Sequence, residues 1–208
     1  MNKFFGVAAI AVVLSAGTAQ SADLMSDPAY DWTGFYSGVD LGYSSADLHY
    51  VLAGGTTFNT NSNGVRFGTL GGYNFQTDNI VLGIESDTSF GTLKDFNPTI
   101  EKFRIDLEST FRVRAGVSVD RFLPFVSAGA ALAHASSYDN CGACGKDSNY
   151  QLGLAVGGGL EYAATDHLRL RAEYLYESFG KEKYQLGIFT DHAKWDQQVA
   201  RAAVIWAW

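Results

Sequence analysis

From Phe103 to Val119 the chain alternates for seventeen residues between two unlike faces. Phe103, Ile105, Leu107, Ser109, Phe111, Val113, Ala115, Val117 and Val119 make one face, and Arg104, Asp106, Glu108, Thr110, Arg112, Arg114, Gly116 and Ser118 the other. A period of two is the period of a β-strand. Strands in soluble domains rarely exceed about ten residues, whereas a tilted strand that crosses a bilayer and rises past the headgroups has reason to be longer. The segment therefore predicts a strand in a membrane wall.

The amino terminus supplies an export address. Lys3 is a positive n-region, Phe4 to Leu14 an apolar h-region and Ala19-Gln20-Ser21 a small-residue cleavage site. We expect residues 1–21 to be a signal peptide, 22–32 a periplasmic arm and 33–208 the folded body. Past the signal no run approaches the roughly eighteen apolar residues of a spanning helix, so a membrane span has to be built from strands. With 14% aromatic residues, 23 glycines and three prolines, the composition suits strands better than helices. Loss of Lys3 moves the formal charge from -7 to -8, a poor basis for nucleic-acid binding.

Seven further segments share the period. Strands are expected near 33–44, 64–75, 80–91, 103–119, 124–134, 149–162, 168–179 and 197–208. Short links at Gln76–Asn79, Asp120–Leu123 and Ala163–His167 alternate with long ones at Ser45–Asn63, Thr92–Lys102, Ala135–Ser148 and Gly180–Asp196. Short turns at one end and long loops at the other are the pattern of an outer-membrane barrel with its long loops outside the cell. The expected fold is all-β, an eight-stranded antiparallel up-and-down transmembrane barrel.

Charge tests the faces. Asp40, Arg66, Glu85, Asp87, Arg104, Asp106, Glu108, Arg112, Arg114, Glu161, Arg169, Arg171, Glu173, Glu177 and Arg201 all lie opposite the apolar face. A soluble barrel with an apolar interior would alternate equally well, and glycine separates the two cases. Gly34, Gly38, Gly42, Gly68, Gly83, Gly116, Gly129, Gly153, Gly157 and Gly159 share the charged face, with Gly71 and Gly158 as exceptions. A solvated surface has no use for them, but the crowded interior of an eight-stranded barrel does. Tyr73, Phe75, Tyr162, Trp206 and Trp208 gather on the apolar face near the short turns, as an interfacial girdle would. The interior then holds seven cations against eight anions. Because an unpaired charge there costs several kcal/mol, interlocking Arg–carboxylate pairs and a lumen plugged by side chains are expected.

Several phrases carry a resemblance. Trp32-Thr33-Gly34-Phe35-Tyr36-Ser37-Gly38, Gly71-Gly72-Tyr73-Asn74-Phe75-Gln76, Arg121-Phe122-Leu123-Pro124-Phe125, Gly157-Gly158-Gly159-Leu160-Glu161-Tyr162, Arg171-Ala172-Glu173-Tyr174-Leu175-Tyr176 and Phe179-Gly180 occur in that order. Together the chain resembles the small porin-family outer-membrane proteins of alphaproteobacteria, a group with major surface antigens and some haemin-binding members. The resemblance implies an eight-stranded barrel in the outer membrane, in contact with lipid and lipopolysaccharide, and inserted by the barrel-assembly machinery through its last strand. Such chains usually end in Phe and keep polar residues on the lumen side of that strand. This one ends in Trp208 and has Ile205 and Ala207 there.

The remaining candidates for chemistry are few. Cys141-Gly142-Ala143-Cys144 lies in the third long loop, outside the reducing cytosol, and reads as a local disulfide rather than a redox or zinc site. Glu85 and Asp87 could form an acid/base pair, but carboxylates facing Arg104, Arg112 and Arg114 read as structural partners. His134-Ala135-Ser136 is similar to the His-x-Ser arrangement on the outer wall of lipid A deacylases, yet the lipid-facing positions offer no carboxylate to orient the histidine. His49, His134 and His192, with Tyr50, Tyr138 and Tyr150 in neighbouring loops, are candidate haemin ligands at the rim. The expected role is that of a structural, non-enzymatic envelope component and surface antigen presenting four loops, with no cofactor. The alternatives are haemin binding and, below it, lipid A modification.

Overall fold

The computed structural model describes residues 30–51, 57–91, 93–94, 101–139, 146–186 and 189–208, and the side chains of 30–47, 61–91, 107–134, 150–180 and 195–208. The described residues form eight long strands: β1 (Gly34–Val51), β2 (Thr57–Thr77), β3 (Ile80–Gly91), β4 (Glu101–Val117), β5 (Phe122–Asp139), β6 (Lys146–Ala163), β7 (Leu168–Leu186) and β8 (Phe189–Ala207). Every strand pairs antiparallel with the next. β1 closes on β8 from Tyr36↔Ala207 to Val51↔His192. The result is the expected up-and-down barrel, its sheet closed on itself through the β1–β8 seam. A two-residue stretch, Leu93–Lys94, adds to the wall by pairing with Ile105 and Arg104.

Two of the short links are tight. Asp78 and Asp120 take positive φ, at 53° and 51°, a conformation that short polar side chains accept more readily than bulky ones. The second turn is shorter than expected, because β5 starts at Phe122, not Pro124, and an isolated bridge joins Val119 to Phe122. The third link runs from Ala163 to Leu168.

The wall itself separates lipid from interior. Among the described residues, thirty large hydrophobic side chains face outward and are exposed, including Val39, Leu41, Leu82, Val113, Leu154 and Val204. A soluble monomer could not carry that much contiguous apolar surface. Aromatic rings border the band at the short-turn end, where Phe35 packs on Tyr73 and Phe122 on Tyr162, each at 4.8 Å, and Trp206 stacks on His167 at 5.6 Å. Towards the long-loop end the outward positions turn polar at one level: Ser45 opposes Asn63, Asp47 opposes Asn61, and Ser178 opposes Asp196. From Phe35 to Tyr43 the apolar part of β1 covers about 26 Å along the strand, close to the height of an outer-membrane barrel's apolar belt once the strand tilts.

The strands run well past this belt, which corrects the sequence expectation. Most of Ser45–Asn63 and Gly180–Asp196, and the described flanks of Ala135–Ser148, are strand and not loop. From Ser45 upward the outward positions turn polar while inward ones include the apolar Ala46, Phe179 and Trp195, so the apolar-out, polar-in period fades while the backbone ladder continues. The alternation of 103–119 is also not continuous in space. The β4–β5 register shifts between Ile105 and Leu107, a bulge at Asp106, and a second irregularity lies in β7 between Phe179 and Glu182.

Candidate functional site: the barrel interior

Inward positions bring the charges together. Of the fifteen residues expected on the inner face, the side chains of Arg104 and Asp106 lie outside the described set; the other thirteen are each 5% exposed or less. They are six arginines and seven carboxylates. Glu85 on β3 is the hub. Its two oxygens meet Arg112 at 2.7 Å and Arg171 at 2.6 Å, and accept a hydrogen bond from the Tyr36 hydroxyl at 2.8 Å. Glu161 holds Arg171 at 2.5 Å and Arg114 at 2.8 Å.

A second layer lies nearer the long-loop end. Arg112 bridges Glu173 at 2.6 Å and Asp87 at 2.9 Å, and Arg201 bridges the same two carboxylates at 2.8 and 3.0 Å. Thr110 donates to Asp87, and Asp40 stands 3.9 Å from Arg201. Above it Arg66 lies 3.2 Å from Glu108 and 3.7 Å from Glu177, and the Gln197 amide donates to both carboxylates. Planar guanidinium forks suit such shared carboxylates, which is why arginine fills these positions and lysine none of them. Glu85 and Asp87 spend their oxygens on guanidiniums, so the geometry favours the structural reading over an acid/base pair.

Aromatic groups stand at both ends of this column. At the long-loop end Phe179 and Trp195 stack at 3.9 Å among Ala46, Ala131, Ala133 and Ala155, and Trp195 Nε1 donates to Gln151. At the short-turn end Trp32 is fully buried beside Tyr30, Val81, Leu123 and Ala163. Its backbone N–H donates to Gln76, its indole N–H to Ser118, and Arg169 lies over its ring at 4.7 Å. Sequence reasoning placed Trp195 in a loop and Tyr30 and Trp32 in an arm. The signal for the latter two was present: both share the even parity of Tyr36 and Asp40, so the inward phase already runs upstream of β1.

Glycine makes room for these side chains. A Cβ on Gly157 would come within 2.5 Å of the Leu175 side chain and 2.6 Å of the Tyr174 carbonyl, and one on Gly72 within 2.5 Å of the Tyr36 hydroxyl. The outward Gly71 has nothing nearer than 3.4 Å. Ile205 and Ala207 are buried on the inner face, packing with Tyr36 and Leu70 in place of polar groups.

The histidines are not gathered. His49 on β1 and His192 on β8 occupy adjoining strands, opposite Lys194 and Val51 respectively. His134 stands on β5, across the barrel from β1, with its ring 4.8 Å from Tyr150. No carboxylate partners His134 among the described residues, and Cys141 and Cys144 lie outside them.

Comparison with known proteins agrees with this architecture. The profile of the outer membrane protein β-barrel domain matches residues 8–204. A 25 kDa outer-membrane immunogenic protein of Brucella canis is 30% identical over 177 residues, covering 85% of this chain and 79% of that protein. A 22 kDa outer membrane protein of Rhizobium leguminosarum is 28% identical over 163 residues, covering 76% and 70%. Among solved structures, the outer membrane protein OprG of Pseudomonas aeruginosa superposes with a TM-score of 0.54 at 12% identity, over 83% of this chain and 96% of that one. Closed wall, outward apolar belt and profile match together make this chain a member of the outer-membrane β-barrel protein family.

Proposed function

We propose that the protein is a structural component of the outer membrane whose lumen is plugged by its own side chains and whose long-loop end is displayed outside the cell as a surface antigen. The observation that carries this reading is the column from Trp32 to Trp195, in which guanidiniums, carboxylates and aromatic rings occupy the inner face at every level. A solute that crossed would have to part ion pairs held at 2.5–3.0 Å, each costing several kcal/mol to leave uncompensated in a low-dielectric interior. The names of the Brucella relatives support surface display.

The same geometry supports a non-enzymatic role, since the described inward carboxylates face arginines and no described carboxylate orients His134. Haemin held by His49, His134 and His192 together finds no support, because His134 stands on the far wall against Tyr150. The deciding experiment is single-channel recording of the refolded barrel in a planar bilayer, paired with antibody labelling of intact cells against residues 48–60. A silent bilayer and labelled cells are expected; reproducible ion conductance or label only after permeabilisation would overturn the proposal.

A further inference from the structure

The interior is nearly balanced as a whole but not along its axis. Three guanidinium carbons, those of Arg114, Arg169 and Arg171, lie 5.7, 6.0 and 5.8 Å from the centre of the Tyr36 ring. Two carboxylates, Glu85 and Glu161, answer them. Arg169 is the arginine left over. It is 2% exposed, and among the described residues no carboxylate comes within ion-pairing distance of it. Its Nε donates to the Tyr30 hydroxyl at 2.9 Å and its Nη2 approaches the Trp32 carbonyl at 3.4 Å, neither of which carries a charge.

Unused donors collect at the same level. Nη1 of Arg169, Nη2 of Arg114 and the side-chain amide of Asn74 are buried without a hydrogen-bond partner. Trp32 forms a floor beneath them by reaching Gln76 on β2, Ser118 just past β4 and Arg169 on β7, and Asn74 is the next inward residue of β2 above Gln76. Gly83 opposite Asn74 carries no side chain, and the Asn74 amide and the stem of Arg114 converge over it, which brings these two donors together. Buried donors of native proteins are rarely left unmade, and a buried cation without a counter-charge is costlier still.

We infer that this cluster of donors binds one small inorganic anion of halide type, held by Arg169, Arg114 and the Asn74 amide and sealed from the short-turn side by Trp32 and Tyr30. The anion supplies the negative charge that no described residue offers Arg169, and the aromatic faces of Tyr30 and Trp32 flank the guanidinium that holds it. The inference does not depend on the structural role proposed above, since a conducting barrel could hold the same ion.

The test uses the full barrel refolded at constant ionic strength in sodium chloride, sodium bromide or sodium gluconate. The temperature at which the compact form is lost on a gel should rise by about 5 °C in the halides relative to gluconate once halide is in large excess over its Kd. Arg169→Met, which removes the charge and keeps much of the bulk, should abolish that difference. Crystals grown in bromide should show an anomalous peak within hydrogen-bonding distance of the Arg169 guanidinium. Equal midpoints in chloride and gluconate, a halide effect retained by Arg169→Met, or a bromide-grown crystal with water or nothing beside the Arg169 guanidinium would each overturn the inference, and the crystal arm decides even where the variant fails to fold.

Discussion

At the scale of the residue, each inward position is defined by what its neighbours leave it. Gly157→Val would drive a branched side chain into Leu175 and the Tyr174 carbonyl, and we expect a loss of about 1–3 kcal/mol in urea unfolding of the refolded barrel. Gly71→Ala, pointing outward with its nearest neighbour at 3.4 Å, should stay within about 0.5 kcal/mol of wild type. Glu85→Gln strips the hub from guanidiniums on β4 and, across the interior, β7, and should cost about 3–5 kcal/mol in the same assay. Adding Arg171→Gln should return part of that loss by removing one stranded cation; strict additivity would show that the two do not act as a pair. Residue facing was legible in the sequence for a physical reason: in a wall between lipid and a narrow interior a charge has one tolerable side. The anchoring of Trp32 was less legible, because an aromatic residue is acceptable on either side and only its parity marks it.

At the scale of the element, the strands have two parts with different causes. Inside the belt, side chains dictate the register, since a slip of one residue would put Arg112 into lipid and Phe111 into the ion pairs. Beyond it, from Ser45 on β1 and Ser178 on β7, the backbone ladder continues without an outward apolar face to mark it. Sequence reasoning therefore found the cores of all eight strands and cut most of them short at the long-loop end. The bulge at Asp106 escaped it too, because an extra residue next to polar rim positions leaves no gap in an alternating sequence. This division predicts that the β1–β2 extension is dispensable for folding. Removing residues 49–59 and joining Leu48 to Thr60, which are already paired, through an Asn-Gly turn should leave the folded form intact on a gel while abolishing recognition by antibodies to that hairpin. Loss of the compact form would show that the ladder above the lipid helps hold the wall.

At the scale of the molecule, closure and the internal ion pairs make one cooperative unit. Unheated samples in detergent should migrate as a compact species and boiled samples as a slower, extended one; identical migration would contradict a closed wall. The loss of the compact form should be a single transition, because Glu85, Glu173 and Asp87 tie β3 and β7 to β4 and β8 across the interior. The seam where Tyr36 meets Ala207 and Val51 meets His192 has a consequence for the life of the chain before it reaches the membrane. Its partners are separated by nearly the whole polypeptide, so joining them costs about 5 kcal/mol of loop-closure entropy, and that cost is returned only when every strand between is in place. No nascent or half-exported length of this protein can finish its own wall. The polypeptide stays unsealed, and so still threadable through a translocation channel, until its final strand has arrived.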